Sequence, residues 1–155
     1  MSFVLRPAST ADADAIAAVF TASFRLLDFL PILHSEAEDR WFIEHVILKQ
    51  CVVTAAEADD RIVSFIAVDD QEVRLLHTHP GWIGRGAGSQ LIELVQASGI
   101  AALELWSFQA NSRARRFYEA RGFRAIRFTD GRNNEEKMPD VRYRWDREQA
   151  ALKSD

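Results

Sequence analysis

The segment His79-Pro80-Gly81-Trp82-Ile83-Gly84-Arg85-Gly86-Ala87-Gly88-Ser89 joins a predicted strand to a predicted helix. The strand covers residues 72–78, and the helix runs from about residue 88 to residue 97 with Leu91, Ile92 and Val95 as its apolar stripe. Glycines let backbone N–H groups turn towards a ligand. Together with the positive end of the helix they predict an anion site, for which phosphate is the natural ligand. A flexible turn without a ligand is the alternative interpretation.

Two common phosphate-binding motifs fit this segment poorly. A Walker A loop is excluded, because no Gly-Lys-Ser/Thr follows the glycines. A dinucleotide-binding turn is disfavoured, because the preceding strands are predicted to be antiparallel and the turn comes late in the chain.

The elements on either side of the turn follow from hydrophobic periodicity and turn residues. A capping box of Ser35 and Glu38 starts the second helix, and Asp59-Asp60 and Asp69-Asp70 separate predicted antiparallel strands. We predict strands at residues 3–6, 51–55, 62–68, 72–78, 102–108, 123–129 and 141–146 and helices at residues 12–24, 36–47, 88–97 and 111–122. This order predicts an α/β (α+β) fold with a mixed, mostly antiparallel sheet of about seven strands and about four helices. We place one domain at residues 1–148 and a short C-terminal tail at residues 149–155.

Composition excludes several classes of protein. The 155 residues are 48% hydrophobic, enough for one core, and no apolar run reaches the ~18 residues of a membrane span. The net charge of -4 disfavours a nucleic-acid binder. Cys51 is the only cysteine, which excludes an internal disulfide and a four-cysteine zinc site. The N-terminus shows no secretory signal, so we expect a cytoplasmic protein with no membrane partner.

A second segment, Asn111-Ser-Arg-Ala-Arg-Arg-Phe-Tyr-Glu-Ala-Arg-Gly-Phe123, follows the next predicted strand. The two segments together resemble the GNAT superfamily of N-acetyltransferases. The family motif Asn-x-x-Ala-x-x-Phe-Tyr-x-x-x-Gly-Phe is matched at every defined position, and the pyrophosphate loop Arg/Gln-x-x-Gly-x-Gly/Ala is matched at residues 83–88 except for its first residue. Ile83 stands where Arg or Gln is usual. The backbone donors are kept, but we expect the loss of a side-chain contact and a lower cofactor affinity.

The resemblance implies acetyl-CoA as co-substrate, with its pantetheine arm paired to the strand like an added strand and its pyrophosphate on the glycine turn. It places the cofactor on Leu76, Thr78, Gly84, Arg85, Gly86, Gly88, Ser89 and Asn111. Asn111 either steadies the pantetheine or only caps its helix. Three nearby arginines, Arg113, Arg115 and Arg116, have two interpretations. Either one of them contacts the 3′-phosphate of the cofactor, or all three are solvent-exposed side chains on one face of the helix.

The resemblance also implies catalytic roles. Tyr118 is the general acid that protonates the departing thiolate, although its helical spacing with Ala114 and Phe117 is also that of a core residue. Glu72 is placed like the general base of histone acetyltransferases in the superfamily; many relatives use a water chain instead. Glu104 is a second candidate base, because apolar neighbours could raise the pKa of its carboxyl. An ordinary surface carboxylate is the alternative for both.

Two further sets of residues are candidates for a metal site and for the acceptor site. His77 and His79 could begin a metal site, but no third ligand is evident, and we predict no metal. The resemblance points to Phe24–Leu33, Trp106 and the loop 130–140 for the acceptor, so Phe29 and Trp106 are the candidate substrate residues. Carboxylates of that loop either attract an amine or are solvated.

The predicted function is acetyl transfer from acetyl-CoA to an amine of a small-molecule or peptide acceptor by direct attack in a ternary complex. The main alternative is a non-catalytic acyl-CoA-binding sensor or regulatory module. An RNA-associated protein that uses the six arginines between residues 113 and 127 is disfavoured by the acidic net charge. The superfamily makes a homodimer the default assembly, and the sequence does not identify the acceptor.

Overall fold

The computed structural model describes residues 2–154, and in these residues seven strands form one sheet. The strands are Val4–Pro7 (β1), Val52–Ala58 (β2), Arg61–Asp69 (β3), Glu72–Thr78 (β4), Ala102–Phe108 (β5), Arg124–Phe128 (β6) and Asp140–Asp146 (β7). Their order is β1-β2-β3-β4-β5-β7-β6, and every neighbouring pair is antiparallel except β4 and β5. The predicted mixed, mostly antiparallel sheet of seven strands is therefore confirmed.

Five helices accompany the sheet in residues 2–154. They are Ala13–Arg25 (α1), Glu36–Phe42 (α2), Ala87–Gln96 (α3), Ser112–Glu119 (α4) and Arg147–Ser154 (α5). Helix α2 continues through a π-helical segment, Ile43–Ile47, into Leu48–Gln50, and the predicted capping box of Ser35 and Glu38 starts it. No helix within these residues has the length and apolar character that a membrane span needs. Met1 and Asp155, at the ends of the predicted domain and tail, lie outside the described residues.

The acidic pairs form hairpin turns as the sequence indicates. Asp59 and Asp60 both have left-handed backbone conformations, with φ of 52° and 59°. A two-residue hairpin of the favoured type requires positive φ at both positions, and aspartate tolerates it better than most residues. Strands β2 and β3 are consequently paired along their length.

The sheet is covered on both faces. On one face, α1 and α2 pack Ile16, Phe20 and Ile43 against Phe65 of β3. On the other face, α3 and α4 contribute to the larger core, which contains Leu91, Ile92 and Tyr118 with the inner residues of β5 and β7. Burial of this apolar surface is the main contribution to stability.

The centre of the sheet is split between β4 and β5. Their parallel pairing is limited to Glu72 opposite Glu104, so the strands diverge beyond this point. Arg74 has no partner in β3 because the register shifts there, which makes it a β-bulge. After the bulge, Leu75 contacts the α1 side of the sheet, whereas Leu76 packs against the other core. The edge of β4 facing β5 is thus left without a paired strand from residue 73 to residue 78 in the part of the chain that the structure describes.

Candidate active site

The glycine turn forms the anion-binding geometry that the sequence predicts. His79 begins a 3₁₀ turn, Pro80–Trp82, and its Nδ1 accepts a hydrogen bond from the Gly81 N–H at 3.1 Å. Gly84 and Gly86 have φ of 81° and 97°, and Gly86 is the N-cap of α3. The first N–H groups of a helix have no partner within the helix. They are free to bind an anion at the positive end of the dipole.

A groove of about 440 Å³ runs along this turn, between the end of α1, the end of β4 and α4. Most of the predicted cofactor residues line it: Leu76, Thr78, Gly84, Gly86, Gly88, Ser89 and Asn111. Arg85 does not line it, because its guanidinium lies over the Trp82 ring, 4.8 Å from the ring centroid. Ile83 does line the groove, so the departure from the family motif falls at the site itself.

The side chain of Tyr118 packs in the core and also lines the groove. Its ring packs against Phe117, Phe123 and Tyr143, and only 9% of the residue is exposed. It also lines the groove, and its hydroxyl has no hydrogen-bond partner within residues 2–154. Burial raises the pKa of Tyr118 well above its ordinary value, which keeps the hydroxyl protonated. It is therefore a proton donor that the protein itself leaves unpaired.

Some residues around Asn111 stabilise the fold, and others line the groove. The Asn111 Oδ1 accepts a hydrogen bond from the Ala114 N–H at 3.1 Å, so this side chain caps α4. Arg113 lines the groove beside Gly84. Arg115 instead donates from Nε to the Tyr143 hydroxyl at 3.0 Å. Of the arginines proposed for the 3′-phosphate, Arg113 is the one that lies at the groove.

The two candidate bases are held in one ion-pair network at the narrow end of the split. The Arg142 guanidinium donates to Glu72 at 2.9 Å and to Glu104 at 3.0 Å, and Arg144 donates to Glu104 at 2.6 Å. These hydrogen bonds lower the pKa of Glu104, with Arg142 the largest contributor. The expectation of a raised pKa for Glu104 is therefore wrong. Glu72 lies where β4 and β5 still pair, at the opposite end of β4 from the groove residue Thr78.

The two candidate substrate residues have different partners, although Trp106 and Phe108, which Phe29 contacts, line one cavity with residues of the predicted loop 130–140. Phe29 packs edge-on against Phe108, with ring centroids 6.0 Å apart, and Trp106 lies beneath the Arg142 guanidinium. A larger cavity of about 740 Å³ opens instead between α1, α2 and the loop that contains Glu135, and neither residue lines it. We call it the larger cavity. Its apolar lining is Phe20, Phe24, Leu27, Leu30, Pro31, Ile32, Leu33, Trp41, Phe42 and Leu75.

His77 has a role that strand spacing did not indicate. It lies between Phe20 and Phe65, and its Nδ1 is 3.0 Å from the Ser23 hydroxyl oxygen. Burial lowers the pKa of His77 to about 4, so the imidazole is neutral near pH 7. His77 and Ser23 both line the groove, and the sequence holds no motif that links them.

The chain matches a known family model over its central elements. The family model described as the acetyltransferase (GNAT) domain matches residues 49–125, which contain β2 to α4 and the whole glycine turn. The chain belongs to the GNAT superfamily of acetyltransferases. This superfamily uses acetyl-CoA as the acetyl donor, as the sequence resemblance implied. None of the curated proteins matches the chain.

Solved structures of other GNAT proteins share the fold over nearly the whole chain. A GCN5-related N-acetyltransferase from Rhodopseudomonas palustris is 21% identical with a TM-score of 0.76, covering 94% of this chain and 96% of its own. The PaiA N-acetyltransferase from Thermoplasma acidophilum, solved with coenzyme A, is 18% identical with a TM-score of 0.70 and coverages of 94% and 99%. The ribosomal-protein-S18-alanine N-acetyltransferase from Escherichia coli is 15% identical with a TM-score of 0.71 and coverages of 94% and 94%. At these identities the likeness shows the GNAT fold alone.

Proposed function

We propose that this GNAT protein transfers the acetyl group of acetyl-CoA to an amine by direct attack in a ternary complex. The observation that carries the proposal is the hydroxyl of Tyr118, a buried residue that lines the same groove as the glycine turn; this hydroxyl has no hydrogen-bond partner within residues 2–154. A binding module needs the glycine turn, but it has no use for a proton donor beside it. The alternative, an acyl-CoA sensor without turnover, leaves this hydroxyl without a role.

The groove residues fit acetyl-CoA. The unpaired edge of β4 offers backbone N–H and C=O groups to the amides of the pantetheine arm, as in strand addition. The N–H groups at the start of α3 suit the pyrophosphate, and Arg113 adds a positive charge beside Gly84. Arg113 would partly replace the side chain that Ile83 lacks.

The chemistry is a single displacement. Acetyl-CoA supplies an activated thioester. The amine nitrogen forms a bond to the acetyl carbon while the carbon–sulfur bond breaks, and one proton leaves nitrogen as one proton is delivered to sulfur. Tyr118 delivers that proton, because burial keeps its hydroxyl protonated until a thiolate accepts from it.

The amine must lose a proton before it attacks, because an alkylammonium group has a pKa of about 10. We keep Glu72 as the candidate base, since it lies where the split between β4 and β5 narrows. Its carboxylate accepts a hydrogen bond from Arg142, and the proton of the amine would reach it directly or through water. A homodimer and a cytoplasmic location stay predictions from the sequence.

The first experiment is a calorimetric titration with acetyl-CoA, CoA and ATP, followed by turnover of Tyr118→Phe. We expect binding of acetyl-CoA and CoA but not ATP, and a loss of about a hundredfold in kcat for Tyr118→Phe with little change in acetyl-CoA affinity. Tyr143→Phe is the matched control, because its hydroxyl is bonded to Glu119 and Arg115. That variant should lose stability and keep kcat. Unchanged turnover in Tyr118→Phe would remove the acid role, and absent acetyl-CoA binding would remove the proposed function.

A further inference from the structure

The larger cavity exposes apolar side chains that a surface normally buries. Ile32 is 71% exposed and Trp41 is 58% exposed, and both line the cavity with Phe24 and Phe42. Apolar groups gathered around one concave site mark a ligand-binding surface more often than isolated exposed residues do. Helix α1 and the residues after it therefore provide walls for a hydrophobic group.

Negative charge surrounds these walls. Five carboxylates line the cavity, namely Asp28, Glu38, Asp39, Glu135 and Glu136, whereas its basic residues are Arg25 and His34. Arg25 lies 3.5 Å from Glu36, and His34 lies between Glu38 and Glu135. Asp28 has no ion pair or hydrogen-bond partner within residues 2–154, and Glu136 has no ion pair there; its carboxylate accepts a hydrogen bond from its own backbone N–H.

A cation would stabilise the ionised form of Glu136, a partly buried carboxylate of the cavity. Its own burial raises the pKa of its carboxyl, and the charge of Glu135 raises it further. A positive group beside Glu136 would offset both effects. The cavity is thus apolar on its walls and has more carboxylates than basic side chains at its rim.

The larger cavity is continuous with the cofactor groove. Leu27 lines both. Phe20 and Phe24 line the larger cavity and pack against the His77 ring, and His77 lines the groove. The two sites therefore share Leu27 and adjoin where Phe20 and Phe24 contact His77.

The size and closure of the cavity favour a small molecule. Its volume of about 740 Å³ lies within the range of small-molecule sites. The His34 Nε2 lies 2.6 Å from Glu135, which ties the segment after α1 to the loop between β6 and β7. A folded protein presenting a lysine would need this contact to open.

We propose that the larger cavity binds the acceptor, and that the acceptor is a small primary amine on a hydrophobic, aromatic-sized body. This inference rests on the proposed function, since the amine is the group that receives the acetyl. The cationic ammonium would lie at Glu136 and Asp28 while the body contacts Trp41 and Phe24. After loss of one proton, the nitrogen bonds to the acetyl carbon and CoA leaves as the thiol.

The test compares acceptors on the intact protein by CoA release. 2-Phenylethylamine has both features, spermidine has charge without an apolar body, and L-phenylalanine adds a carboxylate that the acidic rim repels. A short peptide with a free N-terminal alanine represents protein acceptors. We expect kcat/KM for 2-phenylethylamine to exceed that of each of the others at least tenfold. A preference of that size for spermidine, phenylalanine or the peptide overturns the proposal, as does acetylation of none of the four.

Variants assign the effect to the larger cavity. Glu136→Gln should raise KM for 2-phenylethylamine about tenfold with kcat little changed, because a hydrogen bond to a charged group is lost. Trp41→Ala should raise KM without unfolding the protein, because the side chain is largely exposed. The controls are Glu148→Gln and Leu152→Ala, an exposed acid and an exposed apolar residue on α5. Equal KM values in variants and controls overturn the proposal.

Titration of the same preparations with acetyl-CoA distinguishes a failure of the acceptor inference from a failure of the proposed function. If acetyl-CoA binds with unchanged affinity and the amine preference is wrong, only the inference about the acceptor fails. If acetyl-CoA does not bind, the proposed function fails and the acceptor inference fails with it.

Discussion

The cofactor groove and the larger cavity are built in different ways. The groove uses backbone groups of the glycine turn, the start of α3 and the free edge of β4. The larger cavity uses side chains from α1, α2, β4 and the loop before β7, which are far apart in the sequence. A site made of backbone depends on a few glycines at fixed spacing, and a site made of side chains depends on how distant segments pack. The first is therefore visible in a motif, and the second is not.

We expect the largest effect from a substitution that disrupts the glycine turn of the cofactor groove. Gly86→Asp places a carboxylate at the positive end of α3 and a side chain at φ of 97°. We expect acetyl-CoA affinity to fall at least about a hundredfold, because like charges brought together cost several kcal/mol. Calorimetric titration measures the loss.

Gly99→Asp separates the local strain from the charge. Gly99 has a similar φ of 92° with open space around it, but it does not line the groove. Both variants should lose about 1–2 kcal/mol of stability from the left-handed conformation. Acetyl-CoA affinity should fall in Gly86→Asp alone; an equal fall in both would mean that the turn acts through stability.

The next prediction concerns the narrow end of the split between β4 and β5. Glu72→Gln should lower kcat/KM about 10–100-fold if Glu72 accepts the proton. Glu104→Gln is the matched control, because the carboxylates of Glu72 and Glu104 both accept hydrogen bonds from Arg142. We expect it to change kcat/KM less than threefold. Equal effects would assign both carboxylates to the ion-pair network and leave deprotonation to water.

A smaller effect on acetyl-CoA affinity tests whether a side chain adds to the backbone contacts of the groove. Arg113→Ala should weaken acetyl-CoA binding about tenfold, because its guanidinium lies at the groove where Ile83 offers no charge. Arg116→Ala removes an exposed arginine of the same helix that does not line the groove. Titrations at two salt concentrations should separate them, since only Arg113 should contribute to the salt dependence.

The smallest effect is a pH dependence at the larger cavity. Hydrogen bonds to Glu135 and then to Glu38 raise the pKa of His34. A raised pKa in the folded state means that the stabilisation is complete below the ordinary value of about 6.5 and is lost as pH rises through the raised value. Because both partners are exposed, we expect about 0.5 kcal/mol or less.

His34→Gln should abolish this part of the pH dependence of thermal unfolding between pH ~6 and 8. His45→Gln is the matched control, because His45 is also exposed on this side of the molecule but stacks on Trp41, and its Nδ1 lies 3.1 Å from the Trp41 carbonyl oxygen rather than against a carboxylate. A pH dependence that survives in His34→Gln would show that the contact between the two loops does not depend on the charge of His34.

Local sequence signals predicted the features that are built locally. Asp59 and Asp60 predicted a hairpin, Asn111 a helix cap, and Ser35 with Glu38 a capping box, and the structure confirms each. In each case the residues that interact are neighbours in the chain. Their physical chemistry does not depend on the rest of the fold.

Features that depend on register were missed or wrong. The lowered pKa of Glu104 results from Arg142 and Arg144, which become its neighbours only when β5 pairs with β7. The same applies to Ser23 and His77, which meet because α1 packs on β4. A prediction from apolar neighbours in sequence could not include these partners.

The sequence alone determined the superfamily, the order of elements and the location of the glycine turn, because glycine spacing and hydrophobic periodicity act over a few residues. Tertiary structure decided which charges neutralise one another, which face of β4 each side chain occupies, and where a cavity remains. The reason is that Coulomb interactions and packing act between atoms that are close in space. In this protein the pairing of β5 with β7 and the packing of α1 on β4 bring those atoms together.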